Sequence, residues 1–140
     1  MSTDIRAELS TKNQYWISKH RHYELKHFCL QYCEWKRMYT SLDGLSSHSI
    51  IVSRSGKNGS ISDPTSQIAE ARLYFRERME MVEKAAKDAG GEIVGRLLLS
   101  SVTEELSYEH LRAQAGVPCC KDTWYVVYRR FFWMLDKARQ

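Results

Sequence analysis

The stretch SYEHLRAQAGVPCCKDTWYVVYRRFFWML, residues 107–135, contains the local signals that decide the fold. Ser107 is a favoured N-cap residue and predicts the start of a short helix. Gly116 tolerates the conformations of a turn, and Pro118 blocks helix continuation. Asp122 is a suitable N-cap acceptor for a second, longer helix. The stretch therefore predicts two helices that cross at a steep angle and are joined by a short turn.

The second of these helices has two chemically different faces. Its apolar residues recur at spacings of three and four and are predicted to pack inward: Trp124, Val127, Tyr128, Phe131 and Leu135. Their expected partners are Leu97, Leu106 and Leu111. The opposite side carries the candidate binding residues Lys121, Thr123, Tyr125, Val126, Arg129 and Arg130.

This set of side chains suits double-stranded DNA. Lysine and arginine neutralise phosphates or bind guanine bidentately, threonine donates to phosphate, and tyrosine contacts base or backbone. In a helix-turn-helix the N-terminal part of the second helix enters the major groove. The adjacent Arg129 and Arg130 cannot face one direction, so at least one is expected to contact phosphate. The same pattern is also typical of a helical hairpin whose basic face is merely solvated.

The chain before residue 107 predicts further helices. Residues 15–39 carry recurring aromatic side chains among basic ones and predict one long helix. A second long helix is predicted from Pro64, the first helical position after the N-cap Asp63. It extends to Asp88, and the glycine pair at residues 90–91 is expected to close it.

The predicted organisation has three parts. Residues 1–52 form an N-terminal helical region, residues 53–63 a flexible linker, and residues 64–140 a helical region. The last region ends in the helix-turn-helix, residues 92–138. The expected fold class is all-α, because the chain has only 2 prolines and 7 glycines and is rich in helix-forming residues.

Composition limits the classes of function. The net charge of +4 suits a polyanionic partner. No run approaches the roughly 20 apolar residues that a bilayer requires, so no membrane partner and a cytoplasmic location are expected. The chain has no glycine-rich phosphate loop, no HExxH motif and no nucleophile elbow. We therefore expect neither an enzyme nor a cofactor.

Two groups of thiols and imidazoles have alternative interpretations. One group crowds the first helix and has the residue types of a zinc site: His20, His22, His27, Cys29 and Cys33. No CxxC occurs there, so buried free thiols beside exposed histidines are preferred to metal binding. The second group is the pair Cys119 and Cys120 beside Lys121, where the positive end of a helix dipole lowers a thiol pKa and a redox switch is the alternative interpretation. Packing in the turn is the default interpretation.

The stretch VTEELSYEHLRAQAGVPCCKDTWYVVYRRFFWMLDKAR resembles the C-terminal part of phage-encoded transcription regulators of the ArpU and RinA kind, found in prophages of Gram-positive bacteria. The matching features are the Ser-Tyr-Glu opening at residues 107–109, the turn at residues 116–118 and the aromatic-basic helix at residues 122–135. The resemblance implies a DNA-binding part similar to region 4 of sigma factors. It also implies a location in the cytoplasm of a host bacterial cell.

Two functional hypotheses follow from these patterns. In the first, the chain is a sequence-specific phage regulator that binds double-stranded DNA, and its N-terminal helices form a homodimer or dock on RNA polymerase. Packing of the aromatic first helix on the helix from Pro64 is preferred to either partner. In the second, the chain is a protein-interaction module, such as a packaging adaptor or an inhibitor of a host defence nuclease, and reads no DNA sequence.

Overall fold

The computed structural model describes residues 12–45 and 64–140, and these two ranges contain five α-helices and no strand. The helices are α1 (Lys19–Leu30), α2 (Tyr32–Leu45), α3 (Pro64–Glu104), α4 (Tyr108–Gln114) and α5 (Lys121–Ala138). The predicted all-α class is confirmed for these ranges. None of the five helices combines the length and the apolar character needed to cross a membrane. The predicted linker, residues 53–63, lies outside the described residues.

The prediction of one long helix over residues 15–39 is wrong, because α1 and α2 take its place. α1 begins after Ser18, whose side chain accepts from the N–H of Arg21 at 3.4 Å. It ends at Gln31, whose N–H donates to the carbonyl of Phe28, three residues back, at 3.2 Å. Neither glycine nor proline marks this break, so the sequence carries no local signal for it.

α3 begins at Pro64, as predicted, and its regular geometry is interrupted at Gly91 (φ 82°, ψ −166°). Glycine adopts a positive φ at low cost because it has no Cβ to collide with the backbone. The first helical part ends at the glycine pair of residues 90–91, as predicted, and the chain kinks there. A second helical part continues to Glu104. Gly95 follows the kink, and a Cβ there would lie 2.7 Å from the carbonyl oxygen of Ala86. The backbones of the two parts of α3 are therefore in close contact at Gly95 and Ala86.

The chain forms two compact units. The first combines residues 12–32 with residues 81–140, and the second combines residues 33–45 with residues 64–80. Their boundaries lie inside α2 and α3, whereas the predicted division falls at the linker. Since the linker lies outside the described ranges, that division stays a prediction.

The first unit is built around α5, and its core draws on four helices. Its most buried side chains include Leu25, Val82, Leu98, Trp124, Phe131 and Leu135. α1 packs on α5, where Nε of Arg21 lies 2.5 Å from Oδ1 of Asp136. Of the partners predicted for α5, Leu111 is buried, and Leu97 and Leu106 are half-buried. This core holds α5, and in its first two turns it buries Trp124 and leaves Lys121, Thr123 and Val126 exposed.

The second unit pairs α2 with the first turns of α3. Trp35 and Met79 are its buried apolar residues among those described. Arg72 of α3 lies 3.3 Å from Asp43 and 4.5 Å from the ring centre of Tyr39, so a cation connects the two helices. Large apolar side chains also remain exposed in this unit: Met38, Leu73 and Tyr74.

Candidate nucleic-acid interface

α4 is fixed at both ends by local hydrogen bonds. At its start the side chain of Ser107 accepts from the N–H of His110 at 3.1 Å, so the predicted N-cap is confirmed. After its end the N–H of Gly116 donates to the carbonyls of Leu111 and Arg112, each at 3.1 Å. Gly116 has a φ of 81°, so the turn lies where the sequence predicts it and requires glycine there.

Tyr108 of α4 anchors the far side of this turn. Its hydroxyl donates to the carbonyl of Cys119 at 2.8 Å, and its ring centre lies 5.9 Å from that of Trp124 in α5. Both aromatic side chains are buried. α4 and α5 are therefore two separate helices with a fixed connection and not one unbroken rod.

The first turn of α5 differs from the prediction. Its N-cap is Cys120, so the assignment of Asp122 as the cap is wrong. Asp122 lies inside the first turn, where the positive end of the helix dipole stabilises its negative charge. The Cys120 side chain makes no cap hydrogen bond, and its Sγ lies 3.4 Å from Oγ1 of Thr123. This contact lowers the pKa of the Cys120 thiol, whereas burial raises the pKa of Cys119.

Replacement of Cys120 by serine is expected to raise Tm by about 2 to 5 °C, because serine is among the preferred N-cap residues and cysteine is not. Thermal unfolding followed by circular dichroism measures the shift. The matched control is Cys119→Ser, which changes the neighbouring thiol outside the cap position and should give no gain. Equal gains in the two variants would contradict an effect through capping.

The buried face of α5 is wider than the predicted stripe. Of the five residues predicted to face inward, three are buried: Trp124, Phe131 and Leu135. The other two, Val127 and Tyr128, are half-buried. Phe132 was not predicted to face inward, yet it is buried and its ring centre lies 4.7 Å from that of His22 in α1. α5 is therefore covered from more than one side.

The six predicted binding residues divide into two groups. The exposed group is Lys121, Thr123 and Val126, and the half-buried group is Tyr125, Arg129 and Arg130. All three exposed residues lie within the first two turns of α5. The open part of this helix is therefore its N-terminal end, and the basic pair in its middle is partly enclosed.

Arg130 has a structural contact that the sequence did not predict. Its Nη1 donates to the carbonyl oxygen of Ala89 at 3.1 Å, and its guanidinium lies 5.8 Å from the ring centre of Tyr15. Ala89 stands just before the kink at Gly91, where helix carbonyls lose their intrahelical partners. Arg130 thus ties α5 to the end of the first part of α3.

An ion pair connects the start of α5 to α4. Nζ of Lys121 lies 2.5 Å from Oε2 of Glu109, and about half of each side chain is exposed, 50% and 58%. The hydrogen bond from Lys121 lowers the pKa of Glu109, and the same bond raises the pKa of Lys121. Sequence reasoning missed Glu109, since no fixed spacing relates a residue of α4 to one of α5.

A cleft of about 590 Å³ lies beside this ion pair. It is lined by residues of α4, the turn and α5, among them Tyr108, Glu109, Arg112, Cys119 and Lys121. Arg112 is exposed and also contributes to the lowered pKa of Glu109. The ion pair with Lys121 of α5 is therefore the main interaction of the Glu109 carboxylate, and the charge of Arg112 on its own helix has a smaller effect on its pKa.

The thiols and imidazoles of α1 and α2 form no metal cluster in the part of the chain that the structure describes. Cys29 is buried, and this burial raises the pKa of its thiol far above the ordinary value. Cys33 is exposed. A neutral buried thiol is a poor metal ligand and a poor nucleophile, because both roles need the thiolate.

The exposed end of α5 combines a cation, a hydroxyl and a branched apolar side chain, Lys121, Thr123 and Val126. No family model, no curated protein and no solved structure matches this chain. The three side chains supply what phosphate oxygens, base edges and thymine methyl groups require. Thr123 and Val126 share one face of α5, whereas Lys121 lies on the side of α4, where it pairs with Glu109.

Proposed function

We propose that this chain is a phage-encoded, sequence-specific transcription regulator in which α4 and α5 form a helix-turn-helix and α5 is the recognition helix. One observation carries the proposal: the first two turns of α5 expose Lys121, Thr123 and Val126, while Trp124 anchors the same turns in the core. A recognition helix needs this combination, because its readout depends on side chains held by a rigid support. The resemblance of the C-terminal stretch to ArpU and RinA regulators agrees with it.

Each exposed residue has a distinct role in this proposal. Thr123 and Val126 are three positions apart and share a face of α5. The Thr123 hydroxyl donates to a base edge or a phosphate, and the Val126 methyl groups contact the methyl group of thymine. Lys121 neutralises a phosphate beside α4. The half-buried Tyr125 and Arg129 lie at the edge of this surface.

The proposed regulator acts as a homodimer or with RNA polymerase. A single small unit buries little surface on DNA, and a dimer doubles it by reading two half-sites about 34 Å apart. The exposed apolar side chains of the second unit, Met38, Leu73 and Tyr74, supply a surface of the kind that such partners cover.

Replacement of Lys121 by alanine is expected to weaken duplex binding about 10-fold and to reduce the slope of log K against log salt by about 1, because one phosphate contact is lost. Duplexes are first selected from a random-sequence library with the wild-type chain. Fluorescence anisotropy then measures affinity for a selected duplex and its shuffled version, at about 50 and about 200 mM salt.

The matched control for this experiment is Lys84→Ala. Lys84 is exposed on α3 and pairs with Asp88 at 2.8 Å, so its replacement also removes one cation and one surface ion pair. It should change affinity by less than about 2-fold, since it lies outside the proposed interface. Similar losses in the two variants would remove Lys121 from the interface. Equal affinity for selected and shuffled duplexes would contradict sequence-specific binding.

A second candidate function is a protein-interaction module, such as a packaging adaptor or an inhibitor of a host defence nuclease. One observation favours it: the charges around the start of α5 nearly cancel. Lys121 is paired with Glu109, and the remaining charges, Asp122 and Arg112, are of opposite sign. A wild-type chain without affinity for any duplex at about 50 mM salt would favour this function over DNA binding.

A further inference from the structure

Glu109 is an acidic side chain inside the surface that we propose to face DNA. It extends from α4 and lies 2.5 Å from Lys121, the cation at the start of α5. Glu109 also lies in the first turn of α4, where its negative charge is stabilised by the positive end of the helix dipole. For binding a polyanion, however, a carboxylate at this point is unfavourable, because it occupies a cation that would otherwise meet phosphate.

The pair of Lys121 and Glu109 is easy to separate. Both side chains are about half exposed, at 50% and 58%. Exposed ion pairs contribute little to stability, because water and salt screen them and ordering two long side chains costs entropy. An incoming phosphate, which also carries negative charge, is therefore able to replace the carboxylate on Lys121 without unfolding either helix.

We propose that Glu109 is an affinity-limiting residue of the interface: its carboxylate occupies Lys121 in the free protein and competes there with a DNA phosphate. This inference rests on the proposed DNA-binding function. It gives Glu109 the role of limiting the affinity of that same surface for DNA. When α5 docks, Lys121 exchanges Glu109 for the phosphate, so the ion pair that is broken offsets part of the contact that is gained.

The test is Glu109→Gln, which keeps the size of the side chain and removes its charge. Its affinity for the selected duplex should rise about 3- to 10-fold at about 50 mM salt. The slope of log K against log salt should steepen by up to about 0.9, because Lys121 then releases a full counterion on binding phosphate. A thermal unfolding curve within about 2 °C of the wild type shows that the fold is intact.

Two comparisons separate this competition from a general effect of net charge. Glu80→Gln is the matched control, since Glu80 is exposed and pairs with Arg76 at 3.3 Å in the second unit. It should change affinity by less than about 2-fold. In a Lys121→Ala background, Glu109→Gln should change the affinity for the selected duplex by less than about 2-fold, because the competition needs Lys121.

The outcomes distinguish the inference from the function on which it rests. Tighter binding by Glu109→Gln that disappears in the Lys121→Ala background supports the competition. No gain, or an equal gain in Glu80→Gln or in the Lys121→Ala background, overturns it while DNA binding by the wild type stands. If neither the wild type nor Glu109→Gln binds any duplex of the library, the proposed function and the inference both fail.

Discussion

Replacement of Trp124 by alanine is expected to lower the free energy of unfolding by about 3 to 5 kcal/mol, the range for a large buried aromatic side chain. Trp124 is 1% exposed and lies beside Tyr108, whose ring centre is 5.9 Å away. Its removal leaves a cavity between α4 and α5 at the point where the turn is anchored. A loss of this size is a large fraction of the stability of a small domain, about 5 to 15 kcal/mol, so the urea midpoint of the variant should fall well below that of the wild type.

Urea unfolding followed by circular dichroism measures this loss, and Val126→Ala provides the control. Val126 lies two residues later on the same helix and is 46% exposed, so its truncation should cost less than about 0.5 kcal/mol. A loss below about 1 kcal/mol for Trp124→Ala would contradict its role as the anchor of the two helices.

The second large effect is expected at Gly95, where alanine should destabilise the chain by about 1 to 3 kcal/mol. A Cβ at this position would lie 2.7 Å from the carbonyl oxygen of Ala86 and 3.1 Å from Cα of Lys87. Both neighbours are backbone atoms, so the two parts of α3 must move apart. Helix propensity alone predicts the opposite sign, a gain of about 1 kcal/mol for glycine to alanine inside a helix.

This opposition in sign makes Gly95→Ala a direct measure of the close approach at the kink. Chemical unfolding gives the sign, and Arg96→Ala is the control on the next residue, which is exposed on the same helical part. The control should lie within about 0.5 kcal/mol of the wild type. Stabilisation by Gly95→Ala would show that the backbones are not in contact there.

The parts of the fold that the sequence predicts are those with local causes. Pro64 begins a helix, the glycines at residues 90–91 interrupt it, Ser107 caps α4 and Gly116 forms the turn, each through its own backbone chemistry. The break at Gln31 has no such cause, since glutamine is compatible with a helix interior. It was therefore missed, and two helices were predicted as one.

The candidate site shows the same division. Lys121, Thr123 and Val126 are exposed as predicted, because they lie off the face of α5 that Trp124 buries. The position of the Arg130 side chain depends on its hydrogen bond to Ala89, and only the tertiary structure brings these two residues together. The burial of Phe132 similarly depends on α1. Helical periodicity predicts one buried face, but it does not show how many other helices pack against the helix.

The interruption at Gly91 also constrains the length of the chain. A helix turns by about 100° per residue, so one inserted or deleted residue between Gly91 and Gly95 would rotate Leu98 out of the core and move Gly95 away from Ala86. The number of residues in this segment is thus constrained more tightly than the identity of exposed ones such as Ile93. A change of length there should therefore be more destabilising than a substitution at Ile93.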